Sequence, residues 1–138
     1  MDMADLGIGI VGGGYMGKAH AVAMSAVGAV FNTKLRPKLR AVAANSIESA
    51  TRYQSAYGFE KACTNWKDLV ADPCVEAVII ATPQSMHRLV AEAAFSLGKP
   101  VLCEKPLAAN LYDARAMVAA ADAAGVINMI GFNYIRTP

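Results

Sequence analysis

Three glycines that directly follow an apolar segment carry the clearest chemical signal in this chain. Gly12, Gly14 and Gly17 have the spacing of a dinucleotide-binding turn between a strand and a helix. Gly12 would permit a tight turn, Gly14 would let a pyrophosphate approach bare backbone, and Gly17 would let the helix pack closely on the sheet. Tyr15 and Met16 lie within the same turn, and we include them among the residues expected to bind the cofactor.

The glycine spacing alone is a weak signal, and two other readings of it stay open. An ordinary strand–helix turn has similar glycines, and so does an S-adenosylmethionine methyltransferase. A methyltransferase would usually place an acidic residue after the second strand to bind ribose, and Ala44, Asn45 and Ser46 supply none. The alanine-rich, proline-free stretch 16–30 favours a helix whose free N–H groups bind phosphate.

Strand and helix signals alternate along the chain, which predicts an α/β, doubly wound, mostly parallel sheet of the Rossmann type. At 138 residues the chain is expected to form one domain over positions 1–138. The expected strands are 7–11, 39–44, 61–63, 75–81, 101–103 and 126–132. The first expected helix spans 16–29. The second is capped by Asn45, with Glu48 in a capping box, and ends at Gly58. The other three expected helices run from Thr64 or Asn65 to Val70, from the Thr82-Pro83 break to Leu97 and from Asn110 to Ala124.

Ligands of such sheets bind where the strands end at their carboxyl side. That rule places several segments on one rim, namely the glycine turn, Asn45 and Ser46, Thr82 and Pro83, residues 104–106 and residues 131–133. The basic residues around Arg36 precede a strand, so they are expected at the opposite rim as a solvated connection. Trp66 is expected to be a core residue.

Composition excludes several other classes. The net charge of +2 is too small to indicate nucleic acid or a membrane surface as a partner, and no apolar run is long enough to span a membrane. Residues 1–5 lack the features of a secretory signal, which favours a cytoplasmic protein. Cys63, Cys74 and Cys103 are odd in number and widely spaced, as expected for reduced thiols and not for a disulfide framework or a metal site.

Four segments together resemble the N-terminal domain of a known family. They are Gly-Gly-Gly-Tyr-Met-Gly at 12–17, Ala-Thr-Pro-Gln-Ser-Met-His at 81–87, Gly-Lys-Pro-Val-Leu-Cys-Glu-Lys-Pro-Leu at 98–107 and Gly-Phe-Asn-Tyr-Ile-Arg-Thr-Pro at 131–138. The chain resembles the Gfo/Idh/MocA oxidoreductases, the family of glucose-fructose oxidoreductase, inositol dehydrogenase and rhizopine catabolism. The segment around Glu-Lys-Pro is the most specific of the four.

The resemblance implies roles for particular residues. Lys105 would lie beside the nicotinamide and hydrogen-bond the substrate hydroxyl that loses its proton as hydride leaves the same carbon. Glu104 would lie by the nicotinamide ribose, and Asn133 near the nicotinamide amide. The Thr82-Pro83 segment would pack against the nicotinamide half, although Pro83 is equally well explained as a first residue of a helix.

His87 completes the list of expected cofactor-binding residues, with two readings left open. It lies one turn into the helix that follows Pro83, where its ring could face the cleft. It could equally be a surface histidine of that helix. Arg136 belongs to the last of the four segments.

The end of the second strand departs from the usual pattern. An acidic residue there would bind the ribose hydroxyls of NAD and repel the 2′-phosphate of NADP. This chain has Asn45 and Ser46, which donate hydrogen bonds, with Arg52 further along the same helix. The sequence therefore favours NADP over NAD. It has no arginine directly next to Asn45 and Ser46 that would bind the 2′-phosphate and so decide between the two cofactors.

Length is the second departure. Family members continue into a C-terminal α+β domain that holds the substrate and often the oligomer interface, so we expect either an excised domain or a short natural reading frame. The expected function is cofactor binding for hydride transfer to or from a sugar, polyol or related hydroxyl compound. This chain alone would bind nucleotide without turnover; a non-catalytic nucleotide-binding sensor module is the alternative.

Overall fold

Apart from the side chain of Arg136, residues 4–137 are described by a computed structural model, and they form a six-stranded parallel sheet covered by helices. The strands are β1 (Ala4–Val11), β2 (Leu35–Ala43), β3 (Lys61–Cys63), β4 (Ala77–Ile80), β5 (Val101–Cys103) and β6 (Asn128–Ile130), in the sheet order β3-β2-β1-β4-β5-β6. The helices are α1 (Tyr15–Val30), α2 (Ile47–Tyr57), α3 (Trp66–Ala71), α4 (Gln84–Ser96) and α5 (Leu111–Ala124), and a short 3₁₀ helix spans Asn133–Arg136. The predicted single-domain Rossmann-type fold is confirmed.

Two apolar cores lie on opposite faces of the sheet. One includes Ala21 of α1 and packs against Tyr53 and Tyr57 of α2, together with the side chains of Ile10 and Ile79. The other is larger and contains buried residues of α3, α4 and α5. Since the strand order reverses between β1 and β4, the helices divide between the two faces at that point, which is where such sheets bind ligands.

The second strand starts earlier than predicted. We expected a connection through Pro37, but β2 begins at Leu35 and Pro37 pairs with Leu6 of β1. Proline is tolerated there because β3 pairs only with residues 41–43, so the other side of β2 is an open edge at Pro37. The basic residue Arg36 consequently belongs to a strand and not to a loop.

Capping residues set the helix boundaries, and one of them differs from the prediction. Ser46, and not Asn45, caps α2, with its hydroxyl oxygen accepting a hydrogen bond from the Ser49 N–H at 3.1 Å. The predicted capping box of Asn45 with Glu48 is therefore wrong by one residue. Asn65 caps α3 and Asn110 caps α5.

The remaining boundaries differ only at their ends. Strands β4 and β6 are shorter than predicted and β1 is longer, while β3 and β5 match. Gly58 and Gly125 end their helices in the left-handed conformation, as predicted. Within residues 4–137, no helix combines the length and apolar character needed to cross a membrane. Three residues of the segment 1–5 and Pro138 lie outside the described part.

Candidate functional site

The glycine turn after β1 is built around two close backbone contacts. Gly12 has φ +121°, and a Cβ there would lie 2.3 Å from the Ala81 carbonyl oxygen. A Cβ on Gly17 would lie 2.1 Å from the Gly12 carbonyl oxygen. Gly14 is different, because a Cβ there would meet no described atom within 4 Å. The protein itself therefore requires glycine at positions 12 and 17, whereas position 14 faces open space.

The N-terminus of α1 has the features of an anion site. Its cap residue, Gly14, provides no side-chain hydrogen bond, and its first turn contains no acidic residue. By contrast, α2, α3 and α5 each have a side-chain cap and an acidic residue in the first turn, whereas α4, which follows Pro83, has neither. The first N–H groups of α1 are thus left to a ligand, and the helix dipole favours a negative one.

Tyr53 of α2 supports this turn, and sequence reasoning did not single it out. Its hydroxyl donates a hydrogen bond to the Gly14 carbonyl oxygen at 2.7 Å. Burial, and to a lesser extent the neighbouring Tyr57, raises the pKa of Tyr53, so the hydroxyl keeps its proton and acts as a donor. The contact ties α2 to the residue over which a phosphate would lie.

A cleft of about 450 Å³ opens on one side of this turn, and we call it the first cleft. Five of the predicted residues line it: Gly12, Gly14, Asn45, Thr82 and Pro83. The hydroxyl oxygen of Thr82 is buried and has no hydrogen-bond partner within the described structure. An unpaired buried hydroxyl is costly, so a polar ligand group that pairs with it would be favoured.

Other residues of the first cleft were not predicted as site residues. Trp66, expected to be core, is half-buried: it packs against the larger apolar core, as expected, and also lines the cleft wall, with the Lys67 ammonium 5.8 Å from its ring centre. Ser49 and Met86 also line the cleft. A tryptophan at the start of a short helix gives no periodicity signal that would separate a core position from a cleft wall.

A second cleft, of about 490 Å³, lies on the other side of the α1 N-terminus. Four predicted residues line it: Met16, Glu104, Lys105 and Asn133. Lys105 and Asn133 are exposed, whereas Glu104 is 6% exposed. The second cleft therefore brings together the residues expected at the nicotinamide end, with the Lys105 side chain free to meet a ligand.

The buried Glu104 carboxylate is paired with a histidine that sequence reasoning missed. His20 Nε2 lies 2.7 Å from Glu104 Oε1, and the Lys105 N–H donates to Glu104 Oε2 at 3.2 Å. A signal was present, because Met16 and His20 are four residues apart and so share one face of α1. Which strand end that face meets is decided by the tertiary structure.

Cys103 precedes this pair at the end of β5 and is buried. Burial, with a smaller contribution from the charge of Glu104, raises the pKa of the Cys103 thiol to about 12. The thiol therefore stays protonated and is a poor nucleophile near neutral pH. The reactive groups of the second cleft are consequently the lysine, the carboxylate and the histidine.

Four predicted cofactor-binding residues line neither cleft, and His87 is one of them. Gly17 is buried beneath the turn, and Tyr15 is 83% exposed beside it. Ser46 lies at the rim next to Asn45, where its hydroxyl oxygen is used to cap α2.

The prediction that His87 binds the cofactor needs correction, and so does the alternative of a surface histidine. His87 is 1% exposed. Its Nε2 lies 2.9 Å from the Thr82 carbonyl oxygen and its Nδ1 lies 3.1 Å from the Leu107 carbonyl oxygen. Both neighbours are acceptors and a neutral imidazole has one N–H, so the ring donates to one of the two carbonyl oxygens and packs between the turn after β4 and the segment after Lys105.

Comparison with known proteins identifies a family with the same type of fold. Residues 6–132 match the family model GFO_IDH_MocA, described as an oxidoreductase family with an NAD-binding Rossmann fold. The chain is 37% identical over 137 residues to levoglucosan dehydrogenase of Pseudarthrobacter phenanthrenivorans, covering 99% of this chain and 35% of that protein. It is 36% identical over 92 residues to scyllo-inositol 2-dehydrogenase (NADP(+)) of Bacillus subtilis, covering 67% of this chain and 28% of that protein.

A solved structure of a levoglucosan dehydrogenase, in complex with NADH and levoglucosan, superposes with a TM-score of 0.93 at 36% identity. The match covers 96% of this chain and 36% of that one. The chain thus spans about a third of the length of the relatives that it matches.

The position of His87 generates a prediction about stability. Replacing His87 with Ala removes a fully buried ring and the hydrogen bond that it donates to a backbone carbonyl, so we expect the free energy of unfolding to fall by about 2–4 kcal/mol. Urea denaturation followed by circular dichroism measures this. Leu89→Ala, at a 53% exposed position of the same helix, should change stability by less than about 0.5 kcal/mol. An equally stable His87→Ala variant with weakened nucleotide binding would instead favour direct contact with the cofactor.

Proposed function

The chain belongs to the Gfo/Idh/MocA oxidoreductase family, and we propose that it binds a nicotinamide dinucleotide across its two clefts to serve hydride transfer on a sugar-like hydroxyl compound. It is an NAD-binding oxidoreductase domain related to sugar and polyol dehydrogenases. The observation that carries the proposal is the open space over Gly14, at the uncapped N-terminus of α1, with one cleft on each side.

The side chains that line the two clefts differ, and each set suits a different half of a dinucleotide. In the first cleft, Asn45 offers hydrogen bonds beside the apolar Trp66, which suits an adenosine. Thr82 and Pro83 line this cleft and not the second one, although the resemblance implied contact with the nicotinamide half. In the second, Lys105 and Asn133 offer polar groups beside an apolar wall, which suits a nicotinamide and its substrate. The pyrophosphate would lie over Gly14, where the first N–H groups of α1 bind it.

Lys105 is the residue to which we assign the chemistry. Bound nicotinamide supplies the hydride acceptor or donor. As the carbon gains hydride, the Lys105 ammonium would donate a proton to the oxygen that becomes the hydroxyl; as the carbon loses hydride, the neutral Lys105 amine would accept the proton that leaves the hydroxyl. The position supports this role, because only Glu104 separates Lys105 from the end of β5 and the Lys105 side chain is exposed in the second cleft.

We favour NADP over NAD as the cofactor. The segment after β2 carries Asn45 and Ser46 in place of a carboxylate, so nothing there repels a 2′-phosphate. Arg52 is exposed further along α2. Relatives differ in this respect, since one is named for NADP(+) and another is solved with NADH.

The substrate class, the location and the assembly are part of the same proposal. Relatives that act on levoglucosan or scyllo-inositol support a sugar or polyol as the substrate of the whole protein. The free thiols of Cys63, Cys74 and Cys103 fit a reducing cytoplasm. Exposed apolar residues at the second cleft, Met129 and Tyr134 among them, fit a homo-oligomer or a further domain as a partner.

The open space over Gly14 makes its replacement a clean test of nucleotide binding. Gly14→Val introduces a side chain where no described atom stands, so the fold should persist while the pyrophosphate is excluded. We expect nucleotide affinity to fall at least about a hundredfold, the loss expected when several charge-assisted hydrogen bonds are removed. Calorimetric titration with NADP and NAD measures it.

The matched control is Gly28→Val, at an exposed position of the same helix. A Cβ there would meet only Arg36, at an ordinary 3.8 Å. Unchanged affinity in Gly28→Val and lost affinity in Gly14→Val would support the proposal. Full affinity in Gly14→Val would contradict it.

Ser46→Asp tests the cofactor preference without disturbing the helix cap. Aspartate caps a helix as well as serine does, so α2 should remain intact. The new carboxylate would repel a 2′-phosphate and accept bonds from ribose hydroxyls, so we expect the NADP-to-NAD affinity ratio to fall about tenfold or more. Ser55→Asp adds the same charge at an exposed position further along α2 and should leave the ratio unchanged. A wild-type chain that binds NAD more tightly than NADP would contradict the preference.

Binding and turnover are expected to separate in this chain. We expect no reduction of NADP or NAD when the chain is incubated with levoglucosan or scyllo-inositol, since a bound cofactor without a positioned substrate gives little rate. Absorbance of the reduced nicotinamide measures this. Measurable reduction would contradict the expectation, and Lys105→Met would then show whether the rate depends on the lysine.

A further inference from the structure

We propose that His20 is a positioning residue that holds the Glu104-Lys105 turn in place at the nicotinamide end of the site. This inference rests on the proposed function, because it assigns a role within the same nucleotide site. The juxtaposition that carries it is a histidine of α1 bonded to a buried carboxylate whose second oxygen accepts the backbone N–H of Lys105.

The Glu104 carboxylate depends on these bonds. It is 6% exposed, and the His20 side chain beside it is 14% exposed, so neither oxygen is fully solvated. A buried carboxylate without hydrogen-bond partners is expensive, and its usual response is to move towards water. His20 Nε2 at 2.7 Å and the Lys105 N–H at 3.2 Å are the partners that keep it inside.

Three elements enclose this carboxylate. His20 comes from α1, Lys105 from the end of β5, and Gly131 from the end of β6. A Cβ on Gly131 would lie 3.0 Å from Glu104 Oε1, so glycine there leaves room for the oxygen that His20 contacts. Glu104, His20 and Gly131 also line the second cleft, which is the open space next to the carboxylate.

Loss of His20 would therefore act on Lys105. With Oε1 unpaired, the carboxylate would turn towards the cleft and release the Lys105 N–H, and the lysine backbone would no longer be fixed. The N-terminus of α1, where the pyrophosphate would bind, lies one turn before His20. The histidine thus sets the distance between the phosphate end of the site and the lysine.

Two ligands separate this role from a general loss of structure. The first is the reduced dinucleotide that the wild type binds more tightly, NADPH or NADH. The second is the matching fragment without nicotinamide, 2′-phospho-ADP-ribose or ADP-ribose. We expect His20→Ala to bind the dinucleotide about tenfold more weakly, the usual effect of losing a hydrogen bond to a charged group, and to bind the fragment within about twofold of wild type.

His20→Gln provides the conservative variant. Its side-chain amide reaches about as far as an imidazole Nε2 and donates to Glu104, so it should restore most of the dinucleotide affinity. Glu104→Gln, which keeps the shape but removes the charge, should reproduce the selective loss if His20→Ala fails to fold. Lys61→Ala breaks an exposed ion pair with Asp72 outside both clefts and should change neither affinity.

Each outcome of the titrations either supports or contradicts the positioning role of His20. Selective loss of dinucleotide affinity in His20→Ala, with recovery in His20→Gln, supports the positioning role. Equal loss for both ligands, unchanged affinity for both, or no recovery in His20→Gln would overturn it. A folded wild-type chain that binds neither ligand would overturn the proposed function itself, and the two failures are therefore distinguishable.

Discussion

The close approach of α1 to the end of β1 is the constraint on which the site depends. Gly17 lies so near the Gly12 carbonyl that no side chain fits between them, and Gly12 in turn lies against the Ala81 carbonyl at the end of β4. These contacts fix where α1 begins relative to the two central strands. Any larger residue would push the helix outwards and would move both its free N–H groups and His20 away from the strand ends.

Two histidines hold the walls of the site from opposite sides. His20 reaches the Glu104 carboxylate from α1, and the ring of His87 in α4 lies within hydrogen-bond distance of the Thr82 and Leu107 carbonyls. Lys105 lies between Glu104 and Leu107 in its own segment. The exposed lysine is thus flanked by backbone that contacts a histidine on each side, which would hold the position that the proposed role of Lys105 requires.

The sequence predicted the features that local chemistry decides. Glycine spacing after an apolar strand located the turn, and Asn65 and Asn110 were recognisable as caps because their side chains act within three residues. It failed where distant pairing decides the outcome. The start of β2 at Leu35 depends on pairing with β1, which tolerates Pro37 at an open edge. His87 was included among the cofactor-binding residues because the sequence predicts its position on α4. The sequence does not predict that the ring meets the carbonyl of Leu107, which lies 20 residues further along the chain.

The second cleft combines a few polar side chains with a largely apolar wall. An apolar stripe crosses one face of the sheet from Ile10 through Ile79 and Leu102 to Met129, each paired with the next. The stripe is buried at Ile10 and Ile79, but Met129 is 58% exposed at the cleft. Apart from Lys105, Glu104, His20, Asn133 and Tyr134, the described residues that line this cleft are apolar residues and glycine. Under the proposed function, the described part of the cleft therefore offers few polar side chains to orient a polyhydroxylated substrate.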